Sequence, residues 1–526
     1  MKSRPYLLAG VSGVLQFFIF PNFLGLESGL VAWVAMVPLL IALESADSAR
    51  KAAIIAAVSG LVGYPLLYHW LVYTMHTYGN MGYPVSVFVL LAMVLLLSAF
   101  LALFGAASHI LVRKAQAPFY LVVPLVWVAV EYLRAHFPFG GFPWALIGYS
   151  QHGFLPIIQI SEITGPYGVS TLVMFVNAAL AGIVIEWKSG PTLKAAFKSR
   201  WRLVSTAVLL PLIISALGYA RMKSVDKAFQ SQPEVKVGIV QANVDQAVKW
   251  SSDYFWQTMY DHLDLTYKVM RDEPRLVIWP EAAVTVSGFN KHWESQSPVI
   301  QLLTAVDAYF LVGAMSKDEE GGVKKYYNSA YLLTPGAEQI VARYDKMRLV
   351  PFSEYVPLQK LFFFADAIAQ GNTGGSSPGD EVRVMSLPEA RFGCVICYEV
   401  IFPHIVRKFV DQGASFMTTI TNDAWFGKTG APYQHHMTVQ FRSVENRVYF
   451  ARSANTGISS IVDPNGRIVK STDLYVKAWL SGSVRPSPVK TFYSRFGDVF
   501  AWSVILLTIV IAGGAIIRLR RTDGSH

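Results

Sequence analysis

Three polar residues stand where short apolar runs end, and their types suit acyl transfer through a covalent intermediate. Cys397 closes the run Phe392-Gly393-Cys394-Val395-Ile396 and is followed by Tyr398 and Glu399. A cysteine so placed resembles a strand-to-helix nucleophile turn, where a thiolate meets backbone N–H donors. Glu281 follows Leu276-Val277-Ile278-Trp279-Pro280. Pro280 ends the strand, and a carboxylate partly shielded from water suits a general base. Lys346 stands in Asp345-Lys346-Met347-Arg348-Leu349-Val350-Pro351-Phe352-Ser353-Glu354. A lysine held near a developing oxyanion stabilises it by charge. The proline-fixed apolar turn before Glu354 suggests that both charges are held in place.

Each residue alone has a plainer reading. Glu281 fits a first-turn helix carboxylate, and Lys346 fits a solvated surface lysine. Cys394 fits a small buried hydrophobe. A Cys394–Cys397 redox pair is disfavoured, because positions three apart on a strand point to opposite faces. His435 and His436 with Asp423 point only weakly to metal, since adjacent histidines do not share a helical face.

The elements that must position these residues lie in a block at about 224–489. Its apolar runs are short and β-rich: 235–240, 276–279, 309–312, 329–333, 392–397, 415–420 and 448–453. Helical stretches such as 252–270 and 432–446 lie between them. Strands alternating with helices predict an α/β layered domain. No internal repeat is visible. Residues 371–379 read as a mobile loop. Residues 352–370, with Phe352, Leu358, Leu361, Phe362, Phe363 and Phe364, read either as core or as apolar loops that dip into a membrane interface.

The rest of the chain is different. Over 526 residues, 53% are apolar and 15% charged, against roughly 25% charged in soluble proteins. With a mean hydropathy of +0.37, this excludes a purely soluble enzyme and excludes disorder. Hydrophobic runs predict spans near 5–24, 29–45, 52–75, 84–111, 117–135, 164–187 and 203–221, and an eighth at 501–517. The first lacks a clear cleavage site and is expected to be retained. Glu162 and Gly165-Pro166 blur the start of the sixth. Glu131 and Arg134, three apart in the fifth, read as interface anchors or as a pair on one face.

Basic residues fix the expected orientation. Lys2, Arg4, Arg50, Lys51, Arg113, Lys114, the 188–202 cluster and Arg518, Arg520 and Arg521 all fall on one side of an eight-span array. That side is cytoplasmic, so the 224–489 block faces away from the cytoplasm. The net charge of +10 follows the same division. Residues 1–223 carry 14 basic and 6 acidic groups, and 490–526 carry 5 and 2. The block between carries 26 and 27. The excess therefore reports topology and an anionic leaflet, not nucleic acid. Two cysteines exclude a disulfide scaffold.

Glu281, Lys346 and Cys397, in this order, resemble the nitrilase/carbon–nitrogen hydrolase superfamily. The marks are Trp279-Pro280-Glu281, Asp345-Lys346, Cys397-Tyr398-Glu399 and Thr421-Asn422-Asp423-Ala424-Trp425-Phe426-Gly427. With the spans included, the chain is more narrowly similar to the apolipoprotein N-acyltransferase family of the bacterial cell envelope. Further marks are Phe142-Pro143-Trp144, Gly148-Tyr149-Ser150-Gln151, Gln241-Ala242-Asn243 leading to Trp250, Glu354-Tyr355-Val356-Pro357 and Thr491-Phe492-Tyr493. Ser353 stands where the family often has Gly.

The resemblance implies an eight-span α-helical membrane protein carrying a nitrilase-like αββα sandwich. The expected division is 1–223 (seven spans), 224–489 (periplasmic catalytic domain) and 490–526 (eighth span and cytoplasmic tail). It implies transfer of a fatty acyl chain from a phospholipid, usually phosphatidylethanolamine, to the α-amine of an S-diacylglyceryl-cysteine apolipoprotein. Cys397 matches the nucleophile, Glu281 the base and Lys346 the oxyanion stabiliser. Glu354 matches a supporting carboxylate, and Trp250, Tyr398 and Glu399 match residues lining the site. No cofactor, metal or nucleic acid is implied. A monomer in the inner membrane is expected.

Two rivals remain. A membrane-anchored nitrilase or amidase would need only one span as an anchor. A transporter or receptor with an external binding domain predicts ionisable residues deep in several spans. Spans one to four hold almost none beyond Glu44 and His69, each near an end.

Overall fold

Alternation along the strands sorts their side chains onto two faces, and those faces build the sandwich. In the computed structural model, which describes residues 3–523 except 80, 191, 286–287, 293–300, 302, 352 and 356–374, β1 (Val235–Gln241), β2 (Leu276–Ile278) and β3 (Tyr309–Glu320) run parallel. β4 (Val323–Leu333) and β5 (Ile340–Asp345) continue this sheet antiparallel. The second sheet holds β6 (Met385–Ser386), β7 (Arg391–Ile396), β8 (Phe416–Thr421), β9 (Phe450–Ala454), β10 (Ser460–Val462) and β11 (Ile468–Ser471). The chain then returns to the first sheet as β12 (Ala478–Val484), antiparallel to β1.

Read across each sheet, the pairings are antiparallel, parallel, parallel, antiparallel, antiparallel in both. The fold thus repeats a topology that shows no repeat in sequence. Val237, Ile239, Leu276, Ile278 and Leu311 share one buried cluster with Phe392, Cys394, Ile396 and Phe416. Val240, Val277, Phe310 and Val312 turn the other way, onto Met259, Leu263 and Val269 of the helix Phe255–Met270. Each such side chain contributes about 1.5–3 kcal/mol on full burial. The parallel strands leave their C-terminal ends as the edge where ligands bind in open α/β sheets.

All seven predicted runs overlap strands. β5, β6, β10, β11 and β12 had no predicted counterpart, being short or rich in polar residues. The described part of 371–379 is not a loose linker. Ser376 donates to the Glu354 carbonyl (3.0 Å), Ser377 to Tyr326 (2.7 Å) and Gly379 to Lys346 (2.9 Å). Positions 352, 356–370 and 371–374 of the two predicted loops lie outside the described residues.

Among the described residues, five helices are long and apolar enough to cross a membrane: Ala49–Tyr68, Tyr83–Lys114, Phe119–His136, Pro166–Lys188 and Trp201–Gln230. Ala32–Glu44 and Val499–Gly514 are shorter apolar helices. The first predicted run is helical only over Arg4–Phe18. Beyond it Asn22 ties back to Phe20 (3.1 Å) and Leu26 (2.9 Å), and the freed Pro21 carbonyl accepts from Gln434 (2.7 Å). Glu162 interrupts the sixth run because it docks the sandwich, accepting from Arg447 (2.8 Å), and also accepts from Arg221 (2.8 Å) of the helix Trp201–Gln230. Glu131 and Arg134 do not pair with each other as an ion pair. Glu131 accepts from Ile147 N (2.7 Å), and Arg134 donates to Trp144 O (3.0 Å). Both therefore grip the loop that reaches the sandwich, because backbone groups buried there need partners.

Candidate active site

The backbone places the three predicted residues at strand ends on one edge. Glu281 follows β2, after Trp279, whose indole donates to Thr266 (3.0 Å). β3 passes close behind it. A Cβ on Gly313 would lie 2.4 Å from the Pro280 carbonyl, so only glycine fits. Lys346 follows β5, and its N–H donates to Asn328 O (2.8 Å) on β4. Cys397 follows β7 and opens a short 3₁₀ turn with φ of +53°. That region is uncommon for a residue with a side chain, and it aims a nucleophile out of the strand.

The side chains then converge. Glu281 is 7% exposed and Lys346 2%. Glu281 Oε1 accepts from Asn328 Nδ2 (2.7 Å) and lies 3.4 Å from Lys346 Nζ. Its Oε2 accepts from Asn422 N (2.9 Å). Lys346 Nζ also lies 2.9 Å from Glu354 Oε2, which in turn accepts from Val350 N (2.8 Å). The predicted turn between the two charges is thus closed by Glu354 itself. Burial alone would lower the Lys346 pKa, but Glu354 and Glu281 together hold it well above its ordinary value. Lys346 is therefore a fixed cation at neutral pH.

Burial pushes the Cys397 thiol well up. Glu281 pushes it further, and Lys346 pulls it back. A resting thiol beside a carboxylate is the state from which a general base works. Burial also pushes Cys394 up, to about 12. It lies inside the sandwich core, as its plainer reading predicts.

Glu399 stands behind this site. Its Oε1 accepts from Tyr344 OH (2.8 Å), Met347 N (2.8 Å) and Arg348 N (3.0 Å), and its Oε2 from Ile396 N (2.8 Å). It ties the segment after Lys346 to the strand before Cys397, and burial pushes its carboxyl up to about 7. Tyr398 packs edge-on against Phe402, with ring centroids 5.1 Å apart. Trp250 is 38% exposed, without a hydrogen bond to the convergent group among the described residues.

His435 and His436 face different partners, so they do not converge on one ion. His435 Nε2 donates to Cys397 O (3.2 Å), and Nδ1 lies 3.0 Å from Asp423 Oδ1. Asp423 is held by Arg452 (2.6 Å). His436 lies 2.8 Å from Ser460 Oγ.

Three contributors escaped the sequence reading. Asn328 orients the Glu281 carboxylate and approaches Glu354 (3.4 Å), yet in sequence it is one polar residue within a strand. Lys249 is buried and donates to Glu281 O (2.9 Å). Its only signal was its place directly before Trp250. Gln434 links the helix Ala431–Asn446 to Trp144 (2.8 Å).

A double-sheet sandwich with Glu, Lys and Cys at its strand ends, carried on apolar helices, defines a membrane-anchored carbon–nitrogen hydrolase-type domain. The carbon-nitrogen hydrolase family model matches residues 236–489, and that of the apolipoprotein N-acyltransferase N-terminal domain matches 12–179. The chain is 37% identical to an apolipoprotein N-acyltransferase of Geobacter metallireducens, over 98% of this chain and 96% of that one. It is 28% identical to one from Pasteurella multocida, over 99% and 97%. The chain belongs to the apolipoprotein N-acyltransferase family. Among solved structures it is similar to Saccharomyces cerevisiae Nit3, a member of branch 10 of the nitrilase superfamily. That match has a TM-score of 0.36 and 18% identity, over 49% of this chain and 91% of that one.

Proposed function

We propose that this chain transfers a fatty acyl chain from a phospholipid, phosphatidylethanolamine in the first instance, to the N-terminal amine of S-diacylglyceryl-cysteine apolipoproteins. Cys397 is the nucleophile, Glu281 the base and Lys346 the oxyanion stabiliser. Glu281 takes the thiol proton and Cys397 Sγ attacks the ester carbonyl. The tetrahedral oxyanion is balanced by Lys346. The C–O bond breaks, the proton returns from Glu281 to the leaving oxygen, and a lysophospholipid departs. A thioester on Cys397 remains.

The neutral acceptor amine attacks this thioester. Its surplus proton passes to Glu281 and then to the departing thiolate. One site used twice gives ping-pong kinetics. Glu354 holds Lys346 in place throughout, and Trp250 and Tyr398 line the acyl path. Glu399 sets the turn geometry.

The wider setting is part of the same proposal. Eight spans, seven in 1–223 and one in 490–526, hold the 224–489 domain on the periplasmic face of the inner membrane as a monomer, with both termini cytoplasmic. The observation that carries the reading is the buried Glu281–Lys346–Glu354 group beside Cys397, in a domain hydrogen-bonded at Pro21 and Glu162 to the part of the chain that holds the apolar helices. Both proposed substrates are lipids, which explains why hydrolase-type chemistry would be anchored there.

The test is incubation of the full chain with labelled phosphatidylethanolamine and a diacylated lipopeptide. Acyl transfer with an adduct on Cys397 supports the reading. Release of ammonia from small amides without any transfer rejects it.

A further inference from the structure

We propose that Lys249 is the fourth charged member of this site: a positioning residue that holds the Glu281 segment by its carbonyl and supplies a second positive charge beside Cys397. The inference rests on the acyl transfer proposed above and adds a residue to it.

Lys249 is 3% exposed. A lysine so buried is almost always paired with an acid. Among the described residues no carboxylate lies within 4 Å of it, and its Nζ donates instead to the Glu281 carbonyl at 2.9 Å. Such a bond fixes the ammonium without cancelling its charge.

The charge balance of the site says what that charge is for. Glu281 and Glu354 both close on Lys346. Two carboxylates and one ammonium leave an excess negative charge next to the thiol that must ionise. In a buried site an unbalanced charge is costly. With Lys249 protonated the four groups sum to zero. Moving the proton from Cys397 to Glu281 keeps that total, so the site holding the new thiolate is neutral overall, whereas without the Lys249 charge it would carry a net negative charge.

The groups facing Lys249 come from three elements: Glu281 after β2, Cys397 after β7, and His262 on the helix Phe255–Met270. Lys346 meets Glu281 at its carboxylate (3.4 Å), whereas Lys249 meets its backbone carbonyl. Burial holds His262 down to about 4, so it is neutral and adds no competing charge at neutral pH. Burial also lowers Lys249 to about 8, with Glu281 and Cys397 pulling it back up. Its charge is therefore present at neutral pH and lost as pH rises through about 8.

The experiment reads Cys397 directly. The full chain in detergent is alkylated with iodoacetamide across pH 6–10, and modification of Cys397 is followed by peptide mass. K249Q keeps a donor for the Glu281 carbonyl without the charge, and K249M removes both. Both are expected to slow alkylation at least about tenfold near neutral pH, a shift of about one unit in the thiol pKa. K249R is expected to stay near the parent rate and to keep it above pH 8. A parent-like profile in either K249Q or K249M overturns the proposal, and each variant serves if the other does not fold. If the parent alkylates at Cys397 but moves no acyl chain from labelled phospholipid, the functional reading fails while the assignment of Lys249 stands or falls on alkylation alone.

Discussion

The indole of Trp144 lies parallel to the imidazole of His435, with ring centroids 5.7 Å apart and planes 14° from parallel. Trp144 comes from the helical part of the chain, and His435 donates to the carbonyl of Cys397. Arg134 in turn holds the Trp144 carbonyl. A line of packed and bonded groups therefore runs from the Phe119–His136 helix to the backbone of the proposed nucleophile. This sets the turn at Cys397 from outside the sandwich.

W144A should accordingly lower acyl-transfer kcat by about tenfold or more, because small displacements of reacting groups have large effects on rate. The KM for a lipopeptide acceptor should change little. W144F keeps the stack and loses only the bond to Gln434, so its loss should be a few-fold. Steady-state kinetics on both variants check this, and a W144A enzyme with parent kcat refutes the link.

C397A should give no acyl adduct and no transfer. C394A should retain activity within about twofold, because Cys394 packs in the core and has no role in the proposed covalent step. Intact mass with and without hydroxylamine distinguishes them. The adduct on the parent should be a hydroxylamine-labile thioester.

N328A removes the donor that orients Glu281 Oε1. Its expected effect is a fall in kcat of about 10–100-fold, less than the roughly 100–10,000-fold of losing the base outright, because the carboxylate stays but loses one orienting bond. N328D should be worse, since it adds a third carboxylate around Lys346. Single-turnover acylation of Cys397 measures the affected step.

E399Q should act mainly on folding. The carboxylate accepts four bonds, three of them from backbone N–H groups, and an amide would turn its NH₂ towards some of those donors. A stability loss of about 2–4 kcal/mol is expected from unsatisfied buried donors. A lowered melting temperature checks it. An E399Q enzyme that melts like the parent yet is inactive would mean that Glu399 touches substrate instead.

Lys249 makes an opposite prediction for stability. Its folded pKa of about 8 lies below the ordinary 10.5, so the buried charge opposes folding at every pH below about 8. That cost disappears as pH rises from about 8 towards 10.5, where the unfolded chain binds more protons than the folded one. K249M should therefore melt no lower than the parent at neutral pH, by a margin of up to about 1–3 kcal/mol. The margin should narrow at alkaline pH. Melting curves at pH 7 and 9.5 decide it.

The residues that do the proposed chemistry were legible because each ends an apolar run. Trp279-Pro280-Glu281, Asp345-Lys346 and Ile396-Cys397 are local patterns, and a strand end places its next side chain at the sheet edge whatever surrounds it. The central parallel strands were legible for the same reason, being buried on both faces and continuous in apolar residues. β5, with Arg343 and Asp345 paired on its length, and β11, exposed along all four residues, do not have that composition.

Other features depended on where distant segments meet. Nothing near Glu399 in sequence says that Met347 and Arg348 will bring it their N–H groups, and nothing near Glu162 says that Arg447 will meet it. Asn328, Lys249 and Gln434 are single polar residues whose roles exist only once Glu281 and Trp144 arrive beside them. The amino-acid sequence by itself determined the two-part character of the chain, its runs of apolar residues and the placing of Glu281, Lys346 and Cys397 at the ends of short apolar runs, because these rest on composition and short-range pattern. The tertiary structure alone decided the partners of those residues, the charge balance around Cys397 and the hold of the helical part on its backbone, because hydrogen bonds and buried charges are settled by which surfaces pack together.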